Sequence, residues 1–457
     1  MNIVILILLT AAEIILAAIS ISRKINVKDY AKLRIAANAV ELLVSLLAVI
    51  TKQGSLKLRF GGLFLLLSIR VVIAGIIWLI NHKKEAGKKT SAIIVSVVFS
   101  IMFFISSLVP AFVFANYNGL KTSGEYEVKT AGAILKDESR IEAFEDDGSC
   151  REVPLYFYYP DVGEDEAQKE FPIVFFSHGA FGYYQSNTST YMELASRGYV
   201  VISVEHPYHS FFTKDTDGKT VIVDLEFIST AVEVQNSDEL SSEENYEITE
   251  EWIKLRLEDM NFVIDEVKLA VSEGSIDDSW YCENIEEITG VLELSDVNTI
   301  GVMGHSLGGA AAVTLGRDRD DIDAVIDIDG TMLGEIDGVL NGVDIVSEEP
   351  YEVPLLVFDN EDHHNDRTQA ASENILYVNN VILTNATTCY ETCISGSGHM
   401  NYTDLPLFSP FLAGLLGVGE VDSEQCISKM NEITADFLDC YLKGEGTFAV
   451  EEIYELP

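Results

Sequence analysis

Ser306 lies in a G-x-S-x-G pentapeptide, Gly304-His305-Ser306-Leu307-Gly308. A short apolar run precedes the pentapeptide, and small apolar residues typical of a helix packed on a sheet follow it. Between a strand and a helix, this pattern forms a sharp turn that exposes the serine hydroxyl. The glycines permit the turn because they have no Cβ. Ser306 is therefore a candidate nucleophile, and a glycine-rich turn with an uninvolved serine is the alternative.

A serine hydroxyl needs a general base, which a third group must orient. In a sheet with this motif the expected chain order is serine, acid, histidine. His399 follows Ser306 and ends a glycine-rich loop after a strand-like run, so we predict it as the base. His363 and His364 are rivals, and a surface loop is their simpler interpretation. No ligand cluster accompanies this pair, so we predict no metal.

Two aspartates compete to be the orienting acid. Asp329 ends one predicted strand, and Asp362 follows the next. Both precede His399, and geometry alone does not separate them. Asp327 points to the same side as Asp329 but lies deeper in its strand.

The oxyanion of an acyl-transfer reaction needs two preorganised donors. The amide of Leu307 follows the nucleophile directly. The amide of Ala180 lies in the loop after an apolar run over residues 171–177. We predict these two donors, and we expect the neighbouring His178 and His305 to pack around them rather than to react.

Strand-like runs alternate with helical spacing throughout the second part of the chain. This alternation predicts an α/β fold with a doubly wound, mostly parallel sheet. In such sheets sites form at the carboxyl ends of the strands, where the candidate residues lie. The polar, acidic residues 208–250 are predicted to form a long loop beside the site. The expected strands are 152–159, 171–177, 200–204, 297–303, 323–328, 354–358 and 388–394.

The first part of the chain is apolar and basic. Four runs approach the roughly 20 residues that a spanning helix needs: residues 2–21, 35–50, 60–80 and 91–114. Basic residues cluster after the first and third runs, so the positive-inside rule predicts that both termini lie outside. We therefore predict about four transmembrane helices over residues 1–116 and an external domain over residues 117–457. Glu13, Glu41 and Arg70 lie inside these runs and are expected to pair within the bundle, with transport or sensing as the alternative.

Charge divides the chain in the same way. Residues 1–120 carry 13 basic and 4 acidic side chains, whereas residues 121–457 carry 17 basic and 69 acidic ones. The acidic part would repel phosphate backbones, so we predict no nucleic-acid partner. All six cysteines lie in this part and would allow up to three disulfides.

Several segments together resemble the platelet-activating-factor acetylhydrolases and their bacterial relatives, within the α/β-hydrolase superfamily. The segments span about residues 124–443 and are Asp137-Glu138-Ser139-Arg140, Phe176-Ser177-His178-Gly179, Val204-Glu205-His206, Arg256-x-x-Asp259, Gly304–Gly309, Ile328-Asp329-Gly330 and Gly396–Tyr402. The resemblance implies Ser306 as nucleophile, His399 as base and Asp329 as acid, because this family takes its acid from the earlier strand. It also implies Ala180 and Leu307 at the oxyanion positions. Asp362 departs from the pattern, since it stands where dienelactone hydrolases and many other α/β-hydrolases place the acid.

The expected function is that of a membrane-anchored, externally facing serine esterase for short-chain or lipid-derived acyl esters. Its partners would be the ester substrate and the lipid bilayer, with no cofactor. A dienelactone, peptide or polyester hydrolase of the same fold is one alternative. A non-catalytic membrane receptor with a degenerate hydrolase domain is another.

Overall fold

The computed structural model describes residues 2–50, 56–117, 119–163, 169–236 and 240–457. The chain forms two compact units. The helical unit comprises Met1–Gly119 and Pro406–Leu415, and the α/β unit comprises Leu120–Leu405 and Leu416–Pro457. The helical unit thus includes a short segment from beyond the predicted boundary at residue 116.

The apolar runs of the helical unit form α1 (Asn2–Ser22), α2 (Val27–Ile50), α3 (Leu56–Asn81) and α4 (Thr90–Val113). Within the described residues three helices are long and apolar enough to cross a membrane: α1, residues Leu58–Asn81 of α3, and α4. The structure therefore supports three spans where the sequence predicted about four. The exception is α2, whose charged residues Lys28, Asp29, Lys32, Arg34 and Glu41 lower its hydropathy.

A polar cluster lies inside this apolar bundle. The fully buried Glu13 contacts both Arg34 and Arg70, and Arg70 lies 3.7 Å from Glu41. Arg34 also donates to the hydroxyl of Ser96, at 2.7 Å. The predicted pairing of these charges within the bundle is confirmed, and it places two carboxylates beside two guanidinium groups.

The α/β unit is built on one mixed sheet. Its strand order is β14-β13-β12-β9-β8-β3-β4-β2-β1-β7 among the described residues. The strands from β14 to β4 run parallel to one another, and β2, β1 and β7 join antiparallel at one edge. The strands, including two separate hairpins β5–β6 and β10–β11, are β1 (Val128–Ile141), β2 (Cys150–Pro160), β3 (Phe171–Ser177), β4 (Val200–Val204), β5 (Phe212–Lys214), β6 (Thr220–Ile222), β7 (Trp280–Cys282), β8 (Ser295–His305), β9 (Ala324–Ile328), β10 (Ile336–Leu340), β11 (Val343–Val346), β12 (Leu355–Asp359), β13 (Cys389–Ile394) and β14 (Ile453–Tyr454).

Helices cover both faces of this sheet. The helices of the α/β unit are α5 (Thr188–Ser196), α6 (Leu225–Asn236), α7 (Ser242–Glu273), α8 (Ile285–Glu293), α9 (Leu307–Asp318), α10 (Glu361–Glu373), α11 (Val378–Asn385) and α14 (Ser423–Tyr441). Two short helices, α12 (Leu405–Phe408) and α13 (Pro410–Ala413), lie almost wholly in the segment that belongs to the helical unit. One core layer joins the sheet to α7, α8, α9 and α11, and the other joins it to α5 and α14. The central strands β3, β4, β9 and β12 are almost wholly buried, as continuous apolar runs predict for strands covered on both faces. The predicted α/β-hydrolase fold class is confirmed.

Two sequence predictions need correction, and the state of the cysteines, which the sequence left open, can be described. Residues 208–250 are not one long loop, because they contain β5, β6, α6 and the first turns of α7. The strands expected from the sequence begin at residue 152, but β1, a strand of 14 residues, precedes them. All six cysteines are free thiols, so none of the disulfides that the sequence allows is formed.

Candidate active site

Ser306 occupies a strained turn between β8 and α9. Its backbone has φ 56° and ψ −123°, a conformation that costs a non-glycine residue about 1–3 kcal/mol. Its amide donates to the carbonyl of Ile328 at 2.8 Å, which fixes the turn against β9. A Cβ on Gly304 would lie 2.2 Å from the Gly308 carbonyl oxygen, and one on Gly308 would lie 2.0 Å from that of Ser177. Both glycines are therefore needed for α9 to lie this close to the sheet.

Asp329 and His399 meet at the carboxyl ends of their strands. Asp329 follows β9, and His399 begins a 3-10 turn after β13. The distance from His399 Nδ1 to Asp329 Oδ2 is 2.5 Å. Burial alone would raise the pKa of the Asp329 carboxyl, but hydrogen bonds from His363 and His399 outweigh it and hold that pKa well below its usual value. Asp329 therefore faces His399 as a carboxylate.

His363 contacts the same carboxylate. Its Nδ1 lies 2.9 Å from Asp329 Oδ1, and its ring centroid lies 6.2 Å from that of His399. The hydrogen bond to Asp329 is the main reason that the pKa of His363 is raised. His363 thus lies at the site, in the first turn of α10 and not in a surface loop.

Asp362 and His364 do not join this contact. Asp362 is exposed, and its backbone amide donates to Asn360 Oδ1 at 2.9 Å. His364 is buried one residue beyond His363 on α10. Of the two candidate acids, the structure brings only Asp329 against His399.

The loop after β3 passes beside the nucleophile. A Cβ on Gly179 would lie 3.2 Å from Ser306 Cβ. Within the described residues, neither the Ala180 amide nor the Leu307 amide has a hydrogen-bond acceptor. Buried amides are nearly always satisfied, so two free donors next to a nucleophile suit a ligand oxygen.

The two flanking histidines, which were expected to pack around the donors, are both buried. His305 is buried with its ring 4.5 Å from that of His399, and its Nε2 contacts the His399 carbonyl oxygen at 3.1 Å. Burial lowers the pKa of His305 to about 3, which keeps the ring neutral. His178 is also buried, and its Nδ1 contacts the Gly179 carbonyl oxygen at 2.7 Å.

Residues 208–250 give the site an apolar wall. Phe227 of α6 packs in one cluster with Ile253, Leu307 and Ala310, and Ala180 lies against that cluster. The Phe227 ring stacks on His209 at a centroid distance of 3.8 Å. Both residues with free amides therefore adjoin apolar side chains that could surround an acyl group.

The family assignment rests on a match over most of the chain. The family model described as platelet-activating factor acetylhydrolase, isoform II, matches residues 163–450. The chain belongs to this family. The match includes Ser306, Asp329, His399 and both residues with free amides.

Two known proteins illustrate the relationship. Platelet-activating factor acetylhydrolase of Bos taurus is 25% identical over 303 residues, which cover 61% of this chain and 59% of that protein. The chain thus spans less than two thirds of this relative. The solved structure of a ferulic acid esterase from Streptomyces cinnamoneus has a TM-score of 0.51 and 19% identity, and the match covers 73% of this chain and 95% of that one. At this identity the likeness concerns the fold.

Two residues of the candidate site were not identified from the sequence. His363 was treated as a rival base, although it contacts the candidate acid. No role was given to Arg256, which is fully buried under the loop that contains Ala180. The segment Arg256-x-x-Asp259 of the family resemblance was a usable signal for Arg256, whereas nothing in the spacing separates His363 from His364.

Proposed function

We propose that this chain is a membrane-anchored serine esterase for short-chain or lipid-derived acyl esters. One observation carries the proposal: the strained Ser306 lies beside two free amides, with an Asp329–His399 pair at the carboxyl ends of β9 and β13. A binding module has no need of a strained serine, so this arrangement disfavours a non-catalytic receptor.

In the proposed reaction Ser306 Oγ attacks the ester carbonyl, and His399 Nε2 accepts the hydroxyl proton. Asp329 holds the Nδ1–H tautomer of His399 and stabilises the imidazolium that forms. The Ala180 and Leu307 amides donate to the oxyanion. His399 then protonates the leaving alcohol, and water hydrolyses the acyl-enzyme by the same steps. No hydrogen bond joins Ser306 to His399 among the described residues, and such contacts commonly tighten when substrate binds.

The substrate class follows from the lining and the family. Phe227 shares an apolar cluster with Leu307, and Ala180, Trp252 and Leu333 pack against this cluster, which offers an apolar environment to an acyl group. The name of the bovine relative is that of a lipid acetylhydrolase, which supports an acetyl or other short acyl ester on a lipid-like alcohol. The fold shared with a ferulic acid esterase is consistent with attack on an ester carbonyl.

The location is argued from the spans and their loops. Lys83, Lys84, Lys88 and Lys89 lie between α3 and α4, and the positive-inside rule puts such a loop in the cytoplasm. α4 then leads the chain to the outer side, whether or not α2 crosses. The α/β unit therefore faces the exterior in this proposal.

The test is ester hydrolysis by the full-length protein in detergent, with p-nitrophenyl esters of increasing chain length. We expect turnover of the shortest esters, and Ser306→Ala should reduce it by about 10³-fold or more. Ser272→Ala, a change at an exposed serine of α7, is the matched control and should retain wild-type rates. Equal rates for Ser306→Ala and wild type would overturn the proposal.

A further inference from the structure

Arg256 is a fully buried side chain beneath the loop that contains Ala180. Its Nη1 donates to the carbonyl oxygen of His178 at 2.5 Å, and its Nη2 donates to that of Gly179 at 3.4 Å. Its Nη1 also donates to Ser177 Oγ at 3.3 Å. The guanidinium thus contacts three consecutive residues at the end of β3.

This cation has no acidic partner in contact. No carboxylate lies within ion-pair distance of Arg256 in the part of the chain that the structure describes. Asp259, one turn along α7, forms ion pairs with Arg151 and Arg140 instead, with N–O distances of 2.7 Å and 2.9 Å. Burial lowers the pKa of Arg256 to about 9, so the side chain remains charged at neutral pH. A buried charge without a carboxylate in contact is costly. The two backbone carbonyls, Ser177 Oγ and His209 Nδ1 accept hydrogen bonds from it, and the more distant charges of Asp259 and Glu205 also favour the charged form.

Peptide geometry connects these carbonyls to the candidate oxyanion donor. In a planar trans peptide the C=O of one residue and the N–H of the next point in opposite directions. The Gly179 carbonyl oxygen accepts from Arg256, His178 and the Gly182 amide. The Ala180 N–H must therefore point away from this cluster, and it has no acceptor of its own among the described residues.

We propose that Arg256 is a positioning residue for the oxyanion hole. It fixes the peptide between Gly179 and Ala180 so that the Ala180 N–H is aimed at the oxyanion. Its charge also polarises the Gly179 carbonyl, which strengthens the N–H of the same peptide as a donor. This role rests on the proposed esterase function, because it needs a transition state with an oxyanion.

The test compares Arg256→Met and Arg256→Lys with wild type in full-length protein. Loss of one oxyanion donor typically lowers turnover by 10²–10³-fold. We expect kcat per titrated active site to fall by about 10²-fold in Arg256→Met, with KM changed less than about threefold. Arg256→Lys should recover part of the loss, since it restores the charge but not the fork of donors. The inhibition constant of a trifluoromethyl ketone, which forms an oxyanion adduct, should rise in proportion to the loss in kcat.

Arg151→Met is the matched control. Arg151 is buried nearby, but its partners are Glu142, Asp259 and the Pro207 carbonyl. It does not contact the loop that contains Ala180. This change should lower thermal stability while kcat per active site stays within about threefold.

Unchanged kcat and ketone affinity in Arg256→Met would overturn the inference. So would equal losses in Arg256→Met and Arg151→Met, or failure of both Arg256 variants to fold, since either outcome assigns Arg256 to the fold alone. If wild type itself shows no Ser306-dependent hydrolysis, the proposed function fails instead, which distinguishes the two failures.

Discussion

At the scale of single residues, the site depends on how Asp329 remains ionised while fully buried. It accepts from the backbone and side-chain nitrogens of Asn360, both at 2.7 Å, and from the Nδ1 atoms of His363 and His399. Four donors replace the water that the carboxylate loses, so the charge is stabilised without a lysine or arginine in contact. Asp329 can therefore orient His399 and stabilise its imidazolium.

The first prediction distinguishes the two candidate acids, Asp329 and Asp362. Asp329→Asn should lower turnover by about 10⁴-fold, because an amide favours the wrong tautomer of the histidine. Asp362→Asn is the matched control and should cost tenfold or less, since Asp362 is exposed and does not contact His399. Steady-state kinetics of both folded variants decide the matter. An inactive Asp362→Asn beside a nearly normal Asp329→Asn would contradict the assignment.

His363 gives a prediction about pH. Its pKa is raised in the folded protein, so its contribution to stability is complete below the unfolded value of about 6.5 and is lost as pH rises through the folded value. His363→Asn should therefore lower the melting temperature more at pH 5.5 than at pH 9. Thermal unfolding at the two pH values measures the difference. An equal loss at both would show that the charge of His363 contributes nothing.

The residues of the site were predictable to an uneven degree. Ser306 and His399 follow from their motif and loop, and the family resemblance favoured Asp329 where spacing alone left Asp362 open. The contact of His363 with Asp329 was not predictable, because it depends on the N-terminal turn of α10. The sequence there was interpreted as a loop, although Asn360 is a typical N-cap.

At the scale of elements, the turn at Ser306 places α9 against the loop after β3 that contains Ala180. Gly308 is where the two backbones are closest, since a Cβ there would meet Ser177 and His178 backbone atoms at 2.0–2.7 Å. Backbone on both sides cannot move away as a flexible side chain could. The close approach of α9 to the loop that contains Ala180 therefore requires a residue without a Cβ at position 308.

Gly308→Ala should therefore destabilise the α/β unit by about 3 kcal/mol or more, as an added methyl does in a packed core. Gly290→Ala on α8 is the matched control, because a Cβ there meets no atom within 4 Å. Removing a helical glycine should stabilise by about 0.5–1 kcal/mol. Thermal unfolding of the two variants tests this contrast. A Gly308→Ala protein as stable as wild type would contradict the close approach.

Buried elements were predictable where their pattern was strong. The expected strand 171–177 coincides with β3, and 200–204 coincides with β4, because both are continuous apolar runs. β1 was missed because only one of its faces is buried and the strand contains charged residues. The elements within residues 208–250 were missed because that stretch is acidic and its apolar residues are widely spaced.

At the scale of the whole molecule, sequence composition separates a basic, apolar part from an acidic part with 69 carboxylates. The four helices of the first part were predictable from hydropathy. The number that cross was not, because α2 combines apolar and charged residues. Its Arg34 and Glu41 belong to the buried polar cluster of the bundle.

Topology is testable with epitope tags and protease on intact cells. A tag after Pro457 should be cleaved, whereas a tag in the loop with Lys83 and Lys89 should be protected, because that basic loop is predicted to be cytoplasmic. A third tag, placed before Asn2, reports the number of membrane-spanning helices. It should be accessible to protease if four helices cross and protected if three cross. A protected Pro457 tag together with an accessible loop tag would contradict the proposed orientation.

The most direct test of the central claim is the site of covalent capture. The full-length protein is treated with a fluorophosphonate, and the adduct is located by peptide mass spectrometry. The account predicts a single phosphonyl group on Ser306, none in Ser306→Ala, and loss of ester hydrolysis in step with labelling. Active protein that carries no adduct on Ser306, or that carries it on another residue, would contradict the account.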